Sequence, residues 1–217
     1  MKKVCFLNGS PQGINSTSFL LIKEMEQLLP DQQFQQTIVN IAACTQQPEN
    51  IFQSLLAADS LIIVFPLFYY ALPGLLVRFL EDYSVYATAK PHNASVYAVI
   101  NCGFPEPEHN HHAAHMIKCF SDEMHLEWRF ALEIGCGPML KSTRSVPMKS
   151  FLKKELYQGI QMITNDIKTP HASAPANILA KPKFPSWLYR FTGTLNWKQE
   201  ASKYNLTSKD LEKTPYL

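Results

Sequence analysis

The segment Leu61-Ile62-Ile63-Val64-Phe65 sets five bulky apolar residues in a row with no polar position between them. A strand with one wet face alternates apolar and polar residues, so an unbroken run this short reads as a strand covered on both sides. The uncharged stretch around it, Ser60 to Val77, reaches the lower edge of the length a membrane span needs. Pro66 and Pro73-Gly74 interrupt that stretch, and Asp59 and Arg78 bracket it. It therefore reads as a buried strand, a loop and a helix start, with no membrane insertion.

Similar runs recur along the chain. Lys2 to Asn8 is apolar and ends in Gly-Ser-Pro, Ser95 to Ile100 is another buried strand, and Trp128 to Ile134 reads as a fifth strand ending at Gly135-Cys136-Gly137. Phe34 to Ile41 is a weaker strand. Between them lie segments of helical period: Phe19, Leu20, Ile22, Met25 and Leu28; Ile51 to Ala58; Leu75, Leu76, Phe79, Leu80 and Tyr83; Met116, Ile117, Phe120 and Met124; and Phe151, Leu152, Leu156, Ile160 and Ile163. Strands alternating with helices imply a parallel sheet with both faces covered, and five such units imply one open doubly wound α/β domain over residues 1–167. From Lys168 to Lys183 the chain turns to Pro, Ala, Lys and Ser, which reads as a linker. The remainder of 168–217 carries Trp187, Tyr189, Phe191, Trp197 and Tyr204 among basic residues, an aromatic and basic extension.

Composition narrows the class of function. With 46% hydrophobic residues and 20 Lys+Arg against 18 Asp+Glu, the net charge of +2 is too small and the apolar share too large for a disordered chain. Scattered lysines without a basic stripe argue against a nucleic-acid partner. Cys5, Cys44, Cys102, Cys119 and Cys136 are odd in number and form no C-x-x-C pair, which disfavours a zinc ribbon, a closely spaced iron–sulfur site and a secreted disulfide framework. The apolar run after Met1-Lys2-Lys3 is too short for a signal peptide, so a cytoplasmic location is expected.

In an open parallel sheet, ligands bind beyond the carboxyl ends of the strands, where strand order reverses. Three segments at such ends stand out. Gly9-Ser10-Pro11 leads through Gln12 to Ser16-Thr17-Ser18 at a helix start, and a helix N-terminus offers unpaired N–H groups and partial positive charge to a phosphate. It lacks both the Gly-Lys-Ser/Thr end of a Walker loop and the spacing of G-x-G-x-x-G, and an ordinary N-cap at Ser16 stays open. Pro66-Leu67-Phe68-Tyr69-Tyr70 sets three aromatic rings in a loop, fit for a flat ligand, for core packing or for a dimer contact. Asn101-Cys102-Gly103-Phe104 combines a glycine that permits close backbone approach with another ring.

Together, Leu7-Asn8-Gly9-Ser10-Pro11 with Ser16-Thr17-Ser18, Phe65 to Tyr69 with Leu72-Pro73-Gly74 and Phe79-Leu80-Glu81-Asp82, and Asn101 to Glu106 resemble the NADPH-dependent FMN reductase family, one of the flavodoxin-like flavoproteins. The resemblance covers roughly residues 2 to 165. It implies a flavodoxin-like three-layer sandwich with a five-stranded parallel sheet in the order 2-1-3-4-5. It implies bound FMN and a reaction that passes hydride from NADPH or NADH through the flavin to a small-molecule electron acceptor such as a quinone, a free flavin or a nitroaromatic, in a homodimer. By position, Ser10, Gln12, Ser16, Thr17 and Ser18 would hold the phosphate, Pro66, Leu67, Phe68 and Tyr69 would line the isoalloxazine, and Asn101, Cys102, Gly103 and Phe104 would form its other edge. Gln12 stands where the family commonly has Arg, which removes a charge-assisted contact. No catalytic side chain is implied, because the cofactor carries the chemistry.

Two other readings remain open: an FMN-binding electron carrier without nicotinamide activity, and a flavin-free interaction scaffold. The small positive net charge speaks against the acidic docking face of a carrier. His111 and His115 share a helix face at the spacing a metal pair needs, but no second set completes a site, so no metal is expected.

Overall fold

The computed structural model describes residues 1–43, 49–170 and 173–213. Cys44 lies outside these residues. The chain divides into two compact units, Met1–Pro182 and Lys183–Leu217.

The first unit is built on a parallel sheet. In chain order its elements are β1 (Lys2–Asn8), α1 (Thr17–Glu26), β2 (Phe34–Asn40), α2 (Glu49–Leu56), β3 (Ser60–Pro66), α3 (Gly74–Ala87), β4 (Ser95–Asn101), α4 (His111–Glu123), β5 (Glu127–Ile134), α5 (Gly137–Ser142), α6 (Lys154–Lys168) and β6 (Ile178–Ala180). The sheet order is β2-β1-β3-β4-β5-β6, with every strand parallel to its neighbour. The switch point thus falls at β1 and β3, as the resemblance implies. The register aligns Asn8 with Val64 and Pro66 with Asn101, so the carboxyl ends of β1, β3 and β4 open onto one edge.

Two expectations are corrected. The sheet has six strands, not five: β6 forms within the segment expected as a linker and pairs Leu132 with Ile178 through to Ile134 with Ala180. Three residues are too few to show a period of two, and β6 is fixed by contacts remote in sequence. Asn177 accepts from the Ala131 N–H at 3.0 Å and donates to Glu133 at 2.8 Å, while the Gly135 N–H donates to Ala180 O at 3.0 Å. The short helix α5 was also unexpected. It opens with Gly137-Pro138, where proline at a first helical position costs no hydrogen bond.

Each face of the sheet carries its own core. On one side Leu55, Leu76, Leu80, Tyr83 and Ile117 pack against Leu61, Ile63, Phe65 and Ile100. Phe52 sits among Phe79, Tyr83 and Tyr86 at ring separations of 5.2–5.6 Å. On the other side Leu21, Ile22 and Met25 of α1 and Leu156, Ile160 and Ile163 of α6 cover Phe6, Ile62, Val64 and Val99. Burying each such side chain is worth about 1.5–3 kcal/mol, which explains why Leu61 to Phe65 has no polar position. Asp166 of α6 is fully buried and takes two 2.9 Å bonds from Arg129 and one from the Tyr97 hydroxyl.

The second unit contains the helix α7 (Ser186–Lys203), with Trp187, Phe191 and Trp197 exposed along it. No helix among the described residues is long and apolar enough to cross a membrane.

Candidate ligand cleft at three strand ends

The loop after β1 is organised by Asn8, a residue whose role the sequence reading missed. Its buried amide donates to Gly13 O at 2.9 Å and to Asn40 Oδ1 at 3.2 Å, and its Oδ1 accepts from the Ser10 N–H. Gly13 takes φ of +56°, a left-handed conformation natural to glycine. Ser16 caps α1: its Oγ accepts from the Phe19 N–H at 3.0 Å and donates to Gly13 O at 2.6 Å. The capping role and the ligand role are therefore not alternatives. The cap satisfies Phe19 and leaves the Thr17 and Ser18 N–H groups without acceptors among the described residues, at the positive end of the helix.

The loop after β3 leaves the sheet at Pro66, and the Leu67 N–H donates to Asn101 O at 2.9 Å. Phe68 and Ala71 then bond reciprocally across a two-residue turn formed by Tyr69 (φ +49°) and Tyr70 (φ +63°). A turn with two left-handed residues normally uses Asn or Gly, and each side chain held there costs about 1–2 kcal/mol. Tyr69 is fully exposed. Tyr70 stacks on Phe104 at 5.8 Å, and both rings touch His109.

The loop after β4 is zipped to the loop after β5. The Gly137 N–H donates to Cys102 O and the Cys136 N–H to Phe104 O, both at 2.7 Å. Gly135 permits this approach, since a Cβ there would lie 2.5 Å from Pro105 O. Asn101 donates to Ser18 Oγ and to Phe65 O. Burial raises the Cys102 thiol above its ordinary value and pushes Cys136 up to about 11, so both are neutral thiols near pH 7 rather than nucleophiles.

These loops enclose a cleft of about 310 Å³. Ser10, Gln12, Ser16, Thr17 and Ser18 line one part, Pro66, Leu67 and Phe68 another, and Asn101, Cys102 and Gly103 a third. Tyr69 and Phe104 are not brought into this lining: the turn points Tyr69 to solvent, and Phe104 belongs to the neighbouring Tyr70–His109 cluster. Pro138 and Lys141 of α5 complete the wall and were missed. The histidines do not converge. His111 Nδ1 lies 3.5 Å from Glu133 and His115 Nε2 lies 3.6 Å from Cys119, and no group of three metal-ligating side chains forms among the described residues.

Residues 2–116 match a family model described as the flavodoxin-like fold. The chain belongs to that family. No curated protein matches the sequence. Solved structures similar to this flavodoxin-like protein include an NADH:FMN oxidoreductase in its apo form, at TM-score 0.61 and 14% identity over 81% of this chain and 92% of that one. An NAD(P)H:quinone oxidoreductase from Methanothermobacter marburgensis aligns at TM-score 0.58 and 11% identity, over 78% of this chain and 97% of the other. RosB with a bound 8-demethyl-8-formylriboflavin-5'-phosphate intermediate aligns at TM-score 0.60 and 11% identity, over 96% and 89%. At these identities the likeness is one of fold, and the cleft of this flavodoxin-like protein lies where that fold reverses its strand order.

Proposed function

We propose that the chain is an FMN-dependent NAD(P)H oxidoreductase that passes electrons to a quinone, a flavin, a nitroaromatic or a similar small acceptor. The observation that carries this reading is the two-part character of the cleft: hydroxyls and unpaired helix N–H groups at one end, and the apolar surface of Pro66, Leu67 and Phe68 at the other. FMN has the same division, a phosphate joined to a flat tricyclic ring. The donor set therefore fits the group. Similarity in fold to an NADH:FMN oxidoreductase and to a protein holding a riboflavin phosphate derivative supports the choice of ligand.

In this reading Ser10, Ser16, Thr17 and Ser18, with the first N–H groups of α1, bind the phosphate. Pro66, Leu67 and Phe68 exclude water from one side of the ring, and Asn101, Cys102 and Gly103 hold its edge. Bound FMN supplies hydride acceptance and release. The protein contributes orientation and a dry site. The exposed rings of Tyr69 and Phe104, each next in sequence to a cleft residue, would meet an incoming nicotinamide or acceptor. A second copy of the chain as partner and a cytoplasmic location belong to the same reading.

The test is an anaerobic titration of the FMN-reconstituted protein with NADPH and then NADH, following flavin absorbance. Rapid bleaching by either donor is expected. Flavin that bleaches with dithionite alone would indicate an electron carrier, and failure to bind flavin would indicate a scaffold.

A further inference from the structure

Lys141 is the one charged side chain among the described residues that line the cleft; the remaining polar lining is hydroxyl, amide and thiol. Its position follows from α5. Gly137, at the start of that helix, accepts from Thr17 Oγ1 at 3.4 Å, so this face of α5 meets the start of α1. Residues four apart on a helix share a face, which sets Lys141 one turn beyond that contact on the same side. The backbone around it is pinned. The Gly137 N–H donates to Cys102 O, and the buried Lys153 ammonium donates to Thr143 O and Val146 O at 2.7 and 2.8 Å. Lys141 forms no ion pair with any described acidic residue.

A phosphate monoester carries about −1.5 to −2 charge near neutral pH. The serine loop offers it hydrogen bonds and a partial helix charge but no formal positive charge, and Gln12 is neutral. We infer that Lys141 is the counter-charge of the cleft, the residue that makes it select a phosphorylated flavin over a neutral one. This inference rests on the FMN reading above. The cation comes from α5, which meets the start of α1 through Thr17 and Gly137, so the phosphate is gripped between two segments rather than held by one.

The experiment titrates FMN and riboflavin separately into the full-length protein by quenching of flavin fluorescence, for wild type, Lys141→Gln and Lys141→Glu. Lys141 is exposed, so neither substitution disturbs a core, and thermal melting checks that each variant is folded. Lys141→Gln is expected to weaken FMN about ten-fold and Lys141→Glu about a hundred-fold, with riboflavin unchanged. Gln12→Arg added to Lys141→Gln should recover part of the FMN affinity. Variants that bind FMN like wild type, or that lose FMN and riboflavin equally, would overturn the role of Lys141 and leave the flavin reading standing. A wild type that binds neither flavin would overturn both.

Discussion

Asn101 donates a 3.1 Å hydrogen bond to the Oγ of Ser18, a residue 83 positions earlier in the chain. The same amide donates to Phe65 O at 3.1 Å, so one buried side chain ties the end of β4 to the end of β3 and the start of α1. All three cleft-forming loops depend on it. Asn101→Ala removes both side-chain bonds, at a cost of about 1–3 kcal/mol. Urea denaturation should show a lower midpoint with an unchanged slope, and the FMN affinity of the folded variant should fall. A midpoint equal to that of wild type would refute this role.

Tyr69 separates stability from function. Its ring is fully exposed while its backbone sits at φ +49°, so the native state gains little from the side chain and bears the strain of holding it. Tyr69→Gly should stabilise the protein by about 1 kcal/mol, a rise in Tm of about 2–4 °C for a chain of this size. If the ring guides nicotinamide or acceptor, the same variant should turn over more slowly. A lower Tm would show that the turn is not strained.

The Arg129–Asp166 pair is the most consequential ion pair in the first unit. Asp166 is wholly buried and Arg129 almost so, and Tyr97 donates to the same carboxylate. Asp166→Ala removes both bonds that the buried guanidinium makes to this carboxylate, and should cost about 3–5 kcal/mol. Asp122→Ala, which breaks an exposed pair with Lys118, should cost less than about 1 kcal/mol. Comparable losses in denaturation measurements on the two variants would contradict this ranking.

Glu133 confers a pH dependence. Burial holds its carboxyl above the ordinary range, against the opposing pull of Asn177 and His111. A carboxyl raised in the native state favours folding while protonated. Its contribution is full below the unfolded-chain value and is lost as pH rises through the higher folded value. Glu133→Gln should flatten the stability profile above the ordinary carboxylate range and raise stability at its upper end. Urea melts at several pH values, with wild type alongside, measure both effects; parallel profiles would exclude Glu133 as the cause.

The sheet was legible because β1, β3 and β4 are buried on both faces and write that burial as apolar runs, β3 most clearly. The serine loop was legible because a cap has a composition. What could not be read was set by distance. β6 has three residues and is fixed by Asn177 and Gly135, and α5 has one and a half turns and no apolar face of its own to repeat. Pro138 and Lys141 were therefore invisible as cleft residues, although Gly137-Pro138 marks a helix start. Asn8 and Asn101 look like ordinary polar residues at strand ends, and only the sheet register shows what they join. Tyr69 was read from its ring, but its placement is decided by its backbone.

The contact between Thr17 and Gly137 spans 120 residues and is a single long hydrogen bond of 3.4 Å. The two sides of the cleft are thus far apart along the chain, and this bond joins them beside the one from Asn101 to Ser18. Anything bound across this corner would act as a reversible cross-link on the whole domain. Occupancy at a hundred times Kd would add about 2.7 kcal/mol to its resistance to unfolding, so the cleft would serve as the molecule's clasp as well as its workplace.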